Sequence, residues 1–154
     1  MGILRTLFVA AAAVFASATV TDCSTHSIFR PTELAMSPDP PVPGQLVSLT
    51  VKFDNPGPTV TAGTSDTTIV LNGLPVASKH EELCVNTWCP IETGPNDRST
   101  NMTWPSDHIS GKLVTQNVWV DEDGTSLLCV KITNVFASQN SLRGTALVAT
   151  NYTF

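Results

Sequence analysis

Basic charge is thin in this chain: its eight Lys and Arg residues stand singly against thirteen Asp and Glu. Without a basic stripe to grip a phosphate backbone, nucleic acid and a strongly anionic membrane are excluded as main partners. Long apolar runs are missing too, since nothing beyond the N-terminal segment is apolar for long enough to cross a bilayer. No segment carries a helical period of apolar residues. The G-x-S-x-G turn of serine hydrolases is absent. Ser106-Asp107-His108 has the residue types of a hydrolytic triad, but consecutive residues cannot aim their side chains into one hydrogen-bonded chain. Glu81 and Glu82 read as an exposed acidic pair, not as a matched acid and base. Neither an enzyme nor a cofactor is expected.

Cysteine is sparse, and its four copies, Cys23, Cys84, Cys89 and Cys129, are informative. They follow an N-terminus with Arg5, an apolar run from Leu7 to Phe15 and the small triplet Ala16-Ser17-Ala18, the pattern of a signal peptide over residues 1–18. Disulfides are therefore expected rather than metal ligands. A site of Cys84, Cys89 and His80 or His108 lacks the two close pairs that zinc usually takes, so no metal is expected. Four cysteines allow three pairings, and sequence alone does not choose among them. Proximity lets Cys84 and Cys89 close a small loop, which leaves Cys23 to meet Cys129. That second bridge would close a loop worth roughly 4 to 5 kcal/mol in the chain-entropy model. It would staple the first strand to a late one and hold the fold together.

What the chain has in abundance is turn chemistry. Pro38-Asp39-Pro40-Pro41, Pro43-Gly44, Asn55-Pro56-Gly57-Pro58, Asn72-Gly73, Gly94-Pro95-Asn96 and Asp123-Gly124 punctuate short β-rich runs, which predicts an all-β sandwich. The clearest strand is 45–54, where Val47, Leu49, Val51 and Phe53 alternate with polar residues. Further strands are expected over 67–71, 112–120 and 127–135, the last two forming a hairpin around Asp121-Glu122-Asp123-Gly124. That acidic tip lacks calcium-loop spacing and reads as solvated. The same alternation places Val114, Val118 and Val120 inward and Trp119 on the outer face. Asn101-Met102-Thr103 and Asn151-Tyr152-Thr153 are glycosylation sequons, with Asn101 the better candidate.

Taken in order, Asp22-Cys23, Ser37-Pro38-Asp39-Pro40-Pro41 leading to Gly44-Gln45, Gly73-Leu74-Pro75-Val76, Leu83-Cys84 with Cys89-Pro90-Ile91, Gly111-Lys112-Leu113 and Leu128-Cys129 resemble the MD-2-related lipid-recognition domains. That family includes the Niemann-Pick type C2 sterol carriers and the fungal phosphatidylglycerol/phosphatidylinositol transfer proteins. The resemblance implies an immunoglobulin-like β-sandwich of two antiparallel sheets with an internal apolar lipid cavity, and two disulfides, Cys23–Cys129 and Cys84–Cys89. The third bridge of the animal sterol carriers has no cysteine here between Ile28 and Met36, so the framework resembles the fungal type more closely. Where those carriers place a mouth aromatic, this chain has Val76-Ala77-Ser78; a second mouth aromatic has its counterpart in Trp104-Pro105-Ser106-Asp107-His108-Ile109.

The lipid-facing candidates are then Val47, Leu49, Val51, Phe53, Val70, Leu74, Val76, Ile91, Trp104, Pro105, Ile109, Val114, Val118, Val120, Val130 and Ile132. Enclosing a few hundred Å² of apolar ligand surface at about 25 cal/mol per Å² supplies on the order of 10 kcal/mol before ordering costs. Lys79, His80 and His108 read as surface residues within reach of headgroups. The expected protein spans residues 19–135, with 136–154 as an extension of unassigned role. It is a monomer, secreted or in the lumen of a lysosome or vacuole, that encloses one lipid, sterol or phospholipid. It touches membranes transiently and passes the lipid between them or to an acceptor or receptor protein. The competing readings are a lipid-presenting recognition module of an innate-immunity type and an immunoglobulin-like module with a filled core.

Overall fold

The computed structural model describes residues 17–39, 41–42, 44–85, 89–104 and 110–136. Among them are eight strands and no helix: β1 (Ser17–Asp22), β2 (Arg30–Ser37), β3 (Leu46–Asn55), β4 (Thr64–Leu71), β5 (Leu74–Glu82), β6 (Gly94–Thr103), β7 (Gly111–Val120) and β8 (Ser126–Phe136). All pairings are antiparallel. Five strands form one sheet in the order β1-β8-β7-β4-β5 and three form the other in the order β2-β3-β6. The two-sheet, all-β architecture expected from the turn spacing is thus present.

Local chemistry accounts for the hairpins. The β4–β5 turn is Asn72-Gly73, with φ of 51° and 85°, the left-handed pair that a two-residue turn needs to match strand twist. Asn72 also accepts from the Lys112 N–H at 2.8 Å and donates to the Ser110 carbonyl at 3.2 Å, which ties the turn to the start of β7. Between β7 and β8, the Asp121 carboxylate accepts from the N–H groups of Asp123 at 3.0 Å and Thr125 at 2.7 Å. The acidic tip therefore satisfies its own backbone.

Packing starts on β3, whose Val47, Leu49, Val51, Phe53 and Asn55 are all buried and alternate with less buried neighbours. Phe53 stacks on Phe29 with centroids 4.9 Å apart and meets Trp119 edge-on at 5.8 Å. Leu83, Ile91, Leu127 and Leu128 join these rings in one cluster. Trp119 accordingly faces the core, contrary to its expected place on the outer face. Buried Asn55 closes this end: its amide donates to the carbonyls of Pro58 at 3.0 Å and Glu92 at 3.2 Å, and its Oδ1 accepts from Gly57 N–H at 2.9 Å. Val60 and Ile91 exchange backbone bonds at 3.0 and 2.9 Å beside it.

Both disulfides pair as the family resemblance implies, Cys23 with Cys129 and Cys84 with Cys89. The first does not bridge the sheets. Cys23 follows β1 and donates its N–H to the carbonyl of its own disulfide partner at 3.1 Å, so the bond lies within the five-stranded sheet. From there Ile28 and Phe29 donate to Ser126 and Leu127 of β8 at 3.1 and 2.9 Å before the chain enters β2 in the other sheet. The bridge fixes the crossover where it leaves β8. Phe136, placed in the extension by sequence, is the last residue of β8, and 137–154 lie outside the described residues.

Replacing Cys23 and Cys129 together by Ser is expected to remove about 3 to 5 kcal/mol of stability, because their bond closes the longer loop. Replacing Cys84 and Cys89, five positions apart, is expected to cost clearly less. Urea unfolding of both double variants measures the difference.

Candidate functional site

The edges of the two sheets meet differently on their two sides. On one, β1 and β2 run together, joined by the crossover. On the other, the edge strands β5 and β6 do not pair. Between the sheets on that side lies a cavity of about 520 Å³, within the range of roughly 300 to 1,000 Å³ that encloses a small ligand.

Strand alternation assigns the lining. The three-stranded sheet supplies Leu49 and Val51 from β3, and opposite them in register Thr100 and Arg98 from β6, followed by Met102. From the five-stranded sheet come Val130 and Ile132 of β8, Thr115, Asn117 and Trp119 of β7, and Ser65 and Thr67 of β4. Glu81, Glu82 and Leu83, at the end of β5, form the rim. One part of the wall is aliphatic and another carries hydrogen-bonding groups, among which Asn117 Nδ2 donates to Ser65 Oγ at 2.9 Å and Thr67 Oγ1 at 2.7 Å.

Of the residues expected to face lipid, Leu49, Val51, Val130 and Ile132 line this cavity. Val47, Phe53 and Ile91 are buried in the core outside it. Val114, Val118 and Val120 take the opposite face: each alternates with a cavity residue, and Val114 pairs with Val70 and Thr133 on that outer side. Apolar character misleads here, because β-branched residues suit a pleated surface whichever way they point. Leu74 and Val76 are not enclosed; they stand 70% and 51% exposed just after the Asn72-Gly73 turn. Trp104 is only 3% exposed and packs on Phe136, with centroids 6.0 Å apart, so it is a buried residue rather than a mouth aromatic. Pro105, Ile109, His108 and Trp88 lie outside the described residues.

Sequence reasoning missed Arg98, Thr115, Asn117, Ser65 and Thr67 because they are polar, and an apolar pattern search passes over them. Arg98 donates from Nη2 to the Pro90 carbonyl at 3.2 Å, which links it to the Cys89-Pro90-Ile91 segment. Its Nε is buried without a hydrogen-bond partner among the described residues. On the rim Lys79 pairs with Glu81 at 2.8 Å. His80 pairs with Asp66 on the outer side of the sheet, away from the cavity. Asn101 is exposed, between the inward Thr100 and Met102.

The ML-domain family model matches residues 17–136. The chain belongs to the ML-domain family. This ML domain is 22% identical over 116 residues to a Dictyostelium discoideum protein provisionally named phosphatidylglycerol/phosphatidylinositol transfer protein 2, which covers 73% of this chain and 81% of that one. The crystal structure of a Niemann-Pick type C2 protein from Japanese carpenter ant superposes with a TM-score of 0.59 at 16% identity, covering 76% of this chain and 98% of the other. The C-terminal domain of wzt superposes with a TM-score of 0.51 at 13% identity, over 89% and 88% of the two chains. At such identities the two structures show a shared sandwich fold. The resemblance carried by the cysteine and proline landmarks is thereby established for the ML domain.

The inward facing of β8 and the corrected facing of β7 have a measurable consequence. Ile132→Ala is expected to cost about 2 to 4 kcal/mol, whereas Val114→Thr on the outer face is expected to cost less than about 1 kcal/mol. Denaturant midpoints of the two variants check this ordering.

Proposed function

We propose that this ML domain is a lipid-binding protein that encloses one sterol or phospholipid between its sheets and transfers it between membranes or to an acceptor, without covalent chemistry. The observation that carries the reading is the cavity between the sheets, open along the unpaired β5 and β6 edges. A structural module with a filled core has no use for such a space. The name of the Dictyostelium relative, with its phosphatidylglycerol/phosphatidylinositol transfer assignment, supports the same class of ligand.

The physical logic is that of partition. Leu49, Val51, Met102, Val130 and Ile132 offer an apolar wall, and each buried CH₂ of a guest gains about 0.8 kcal/mol. A lipid chain leaving a bilayer therefore keeps most of its apolar contact. Because β5 and β6 are not joined by backbone hydrogen bonds, entry and exit along that side break no sheet ladder. Two disulfides suit an oxidising compartment, outside the cell or in a lysosomal or vacuolar lumen. A glycan on exposed Asn101 would project from the outer side of β6 and leave the cavity free.

Organic extraction and mass spectrometry of the purified protein are expected to recover a lipid, and the delipidated protein is expected to take up labelled lipid saturably. Met102→Trp, which fills the cavity, is expected to lower that uptake at least about ten-fold while the folded circular dichroism spectrum is kept. Absence of both a co-purifying lipid and saturable uptake would sink the proposal.

A further inference from the structure

Arg98 lines the cavity and is its one cation among the described lining residues. It sits on edge strand β6 directly opposite Val51, so its side chain is carried toward the space between the sheets. A guanidinium has five N–H donors in a planar fork. One nitrogen, Nη2, donates to the Pro90 carbonyl, and the buried Nε has no acceptor among the described residues. No Asp or Glu among the described residues forms an ion pair with it; the neighbouring Glu81 is engaged by Lys79. With its Nε out of water and without an acceptor among the described residues, this half-buried arginine gains from an acceptor supplied by a guest.

Across the cavity, the opposite sheet carries a second set of unspent groups. Asn117 uses its amide nitrogen on the Ser65 and Thr67 oxygens. Those two hydroxyls thus act as acceptors in this pair of bonds, and each keeps its own proton to donate to a guest. The cavity therefore has a donor-rich region, made by Arg98, Ser65 and Thr67, beside an aliphatic one made by Leu49, Met102 and Ile132. The acidic members of the lining stand at the end of β5, Glu81 paired with Lys79 and Glu82 exposed to water, so the Arg98 fork is left for a guest, and a sterol with one neutral hydroxyl does not match its charge.

We infer that the preferred guest is an amphiphile whose head is an oxyanion, a carboxylate or a phosphate ester, held by Arg98 and the Ser65 and Thr67 hydroxyls, with its hydrocarbon chain along Leu49, Met102 and Ile132. This assignment rests on the lipid-binding reading above and narrows it. Planar, two-pronged pairing with an oxyanion is what a guanidinium does better than any other side chain. The Pro90 carbonyl keeps the fork oriented, which gives the Cys89-Pro90-Ile91 segment a positioning role in the site.

The test uses the delipidated full chain and a matched pair of probes, oleate and oleyl alcohol, which share a chain and differ in the head. Lysophosphatidylglycerol and cholesterol are the additional probes. Wild-type protein is expected to bind oleate or lysophosphatidylglycerol at least about ten-fold more tightly than oleyl alcohol or cholesterol. Arg98→Gln is expected to weaken the oxyanion lipids by about ten- to a hundred-fold while changing oleyl alcohol less than about three-fold. Tight binding of oleate alone or of lysophosphatidylglycerol alone supports the assignment and names the head. Equal affinity for oleate and oleyl alcohol in the wild type, a comparison that needs no variant, overturns it, as does unchanged oxyanion binding in Arg98→Gln. In both cases bound alcohol or sterol would leave the broader lipid-binding reading standing. Failure of every probe to bind overturns both.

Discussion

The structure depends on being closed along one side only. The chain leaves the five-stranded sheet at Cys23, is tied there to Cys129, runs beside β8 through the backbone bonds of Ile28 and Phe29, and only then enters the second sheet. A covalent bond and a short ladder thus define the distance and angle at which the sheets meet. With that side set, the opposite edges need not pair. The Phe29–Phe53–Trp119 cluster and the buried Asn55 close one end. What is left over is a space that the side chains of β4, β6, β7 and β8 do not fill.

Such a space is stable only if its lining is solvated or satisfied. Aliphatic residues lose dispersion contacts when they face a void, so a guest that supplies them is favoured. Polar residues impose the stricter demand, since an unmet donor forfeits a bond that water would have made. Asn117 answers that demand within the protein, through Ser65 and Thr67. Arg98 answers it only in part, through Pro90. The difference between these two residues separates a wall group that completes the fold from one that is available to a ligand.

Much of the fold was legible because β3 alternates so clearly: every inward residue from Val47 to Phe53 is buried. Asn72-Gly73 and the acidic tip before β8 marked the β4–β5 and β7–β8 turns for the same reason, that their residue types tolerate or satisfy unusual backbone geometry. β7 was misread. Its valines are the apolar set, yet Thr115, Asn117 and Trp119 face inward, because a cavity wall that meets a polar group inverts the usual code. β6 was invisible to pattern: Gly94–Thr103 contains Pro95, Asp97, Arg98 and Asn101 and hardly an apolar residue. It is an edge strand, half in water, and its contribution to the site is chemical rather than hydrophobic. Trp104 stood out in sequence as a rim aromatic. Its contact with Phe136, a residue assigned by sequence to the extension, puts it inside.

The unpaired edges have a cost of their own. Bare strand edges expose rows of unused N–H and C=O groups, which invite another chain to add itself as a strand. The two that flank the cavity cannot be covered without sealing it. They are instead crowded with ionic side chains, Lys79, Glu81 and Glu82 on β5 and Asp97 and Arg98 on β6. A second strand laid along either edge would have to strip water from those charges. The mouth is thus kept passable for a small guest and inhospitable to a backbone, so the ionic fringe acts as a sieve between cargo and aggregation.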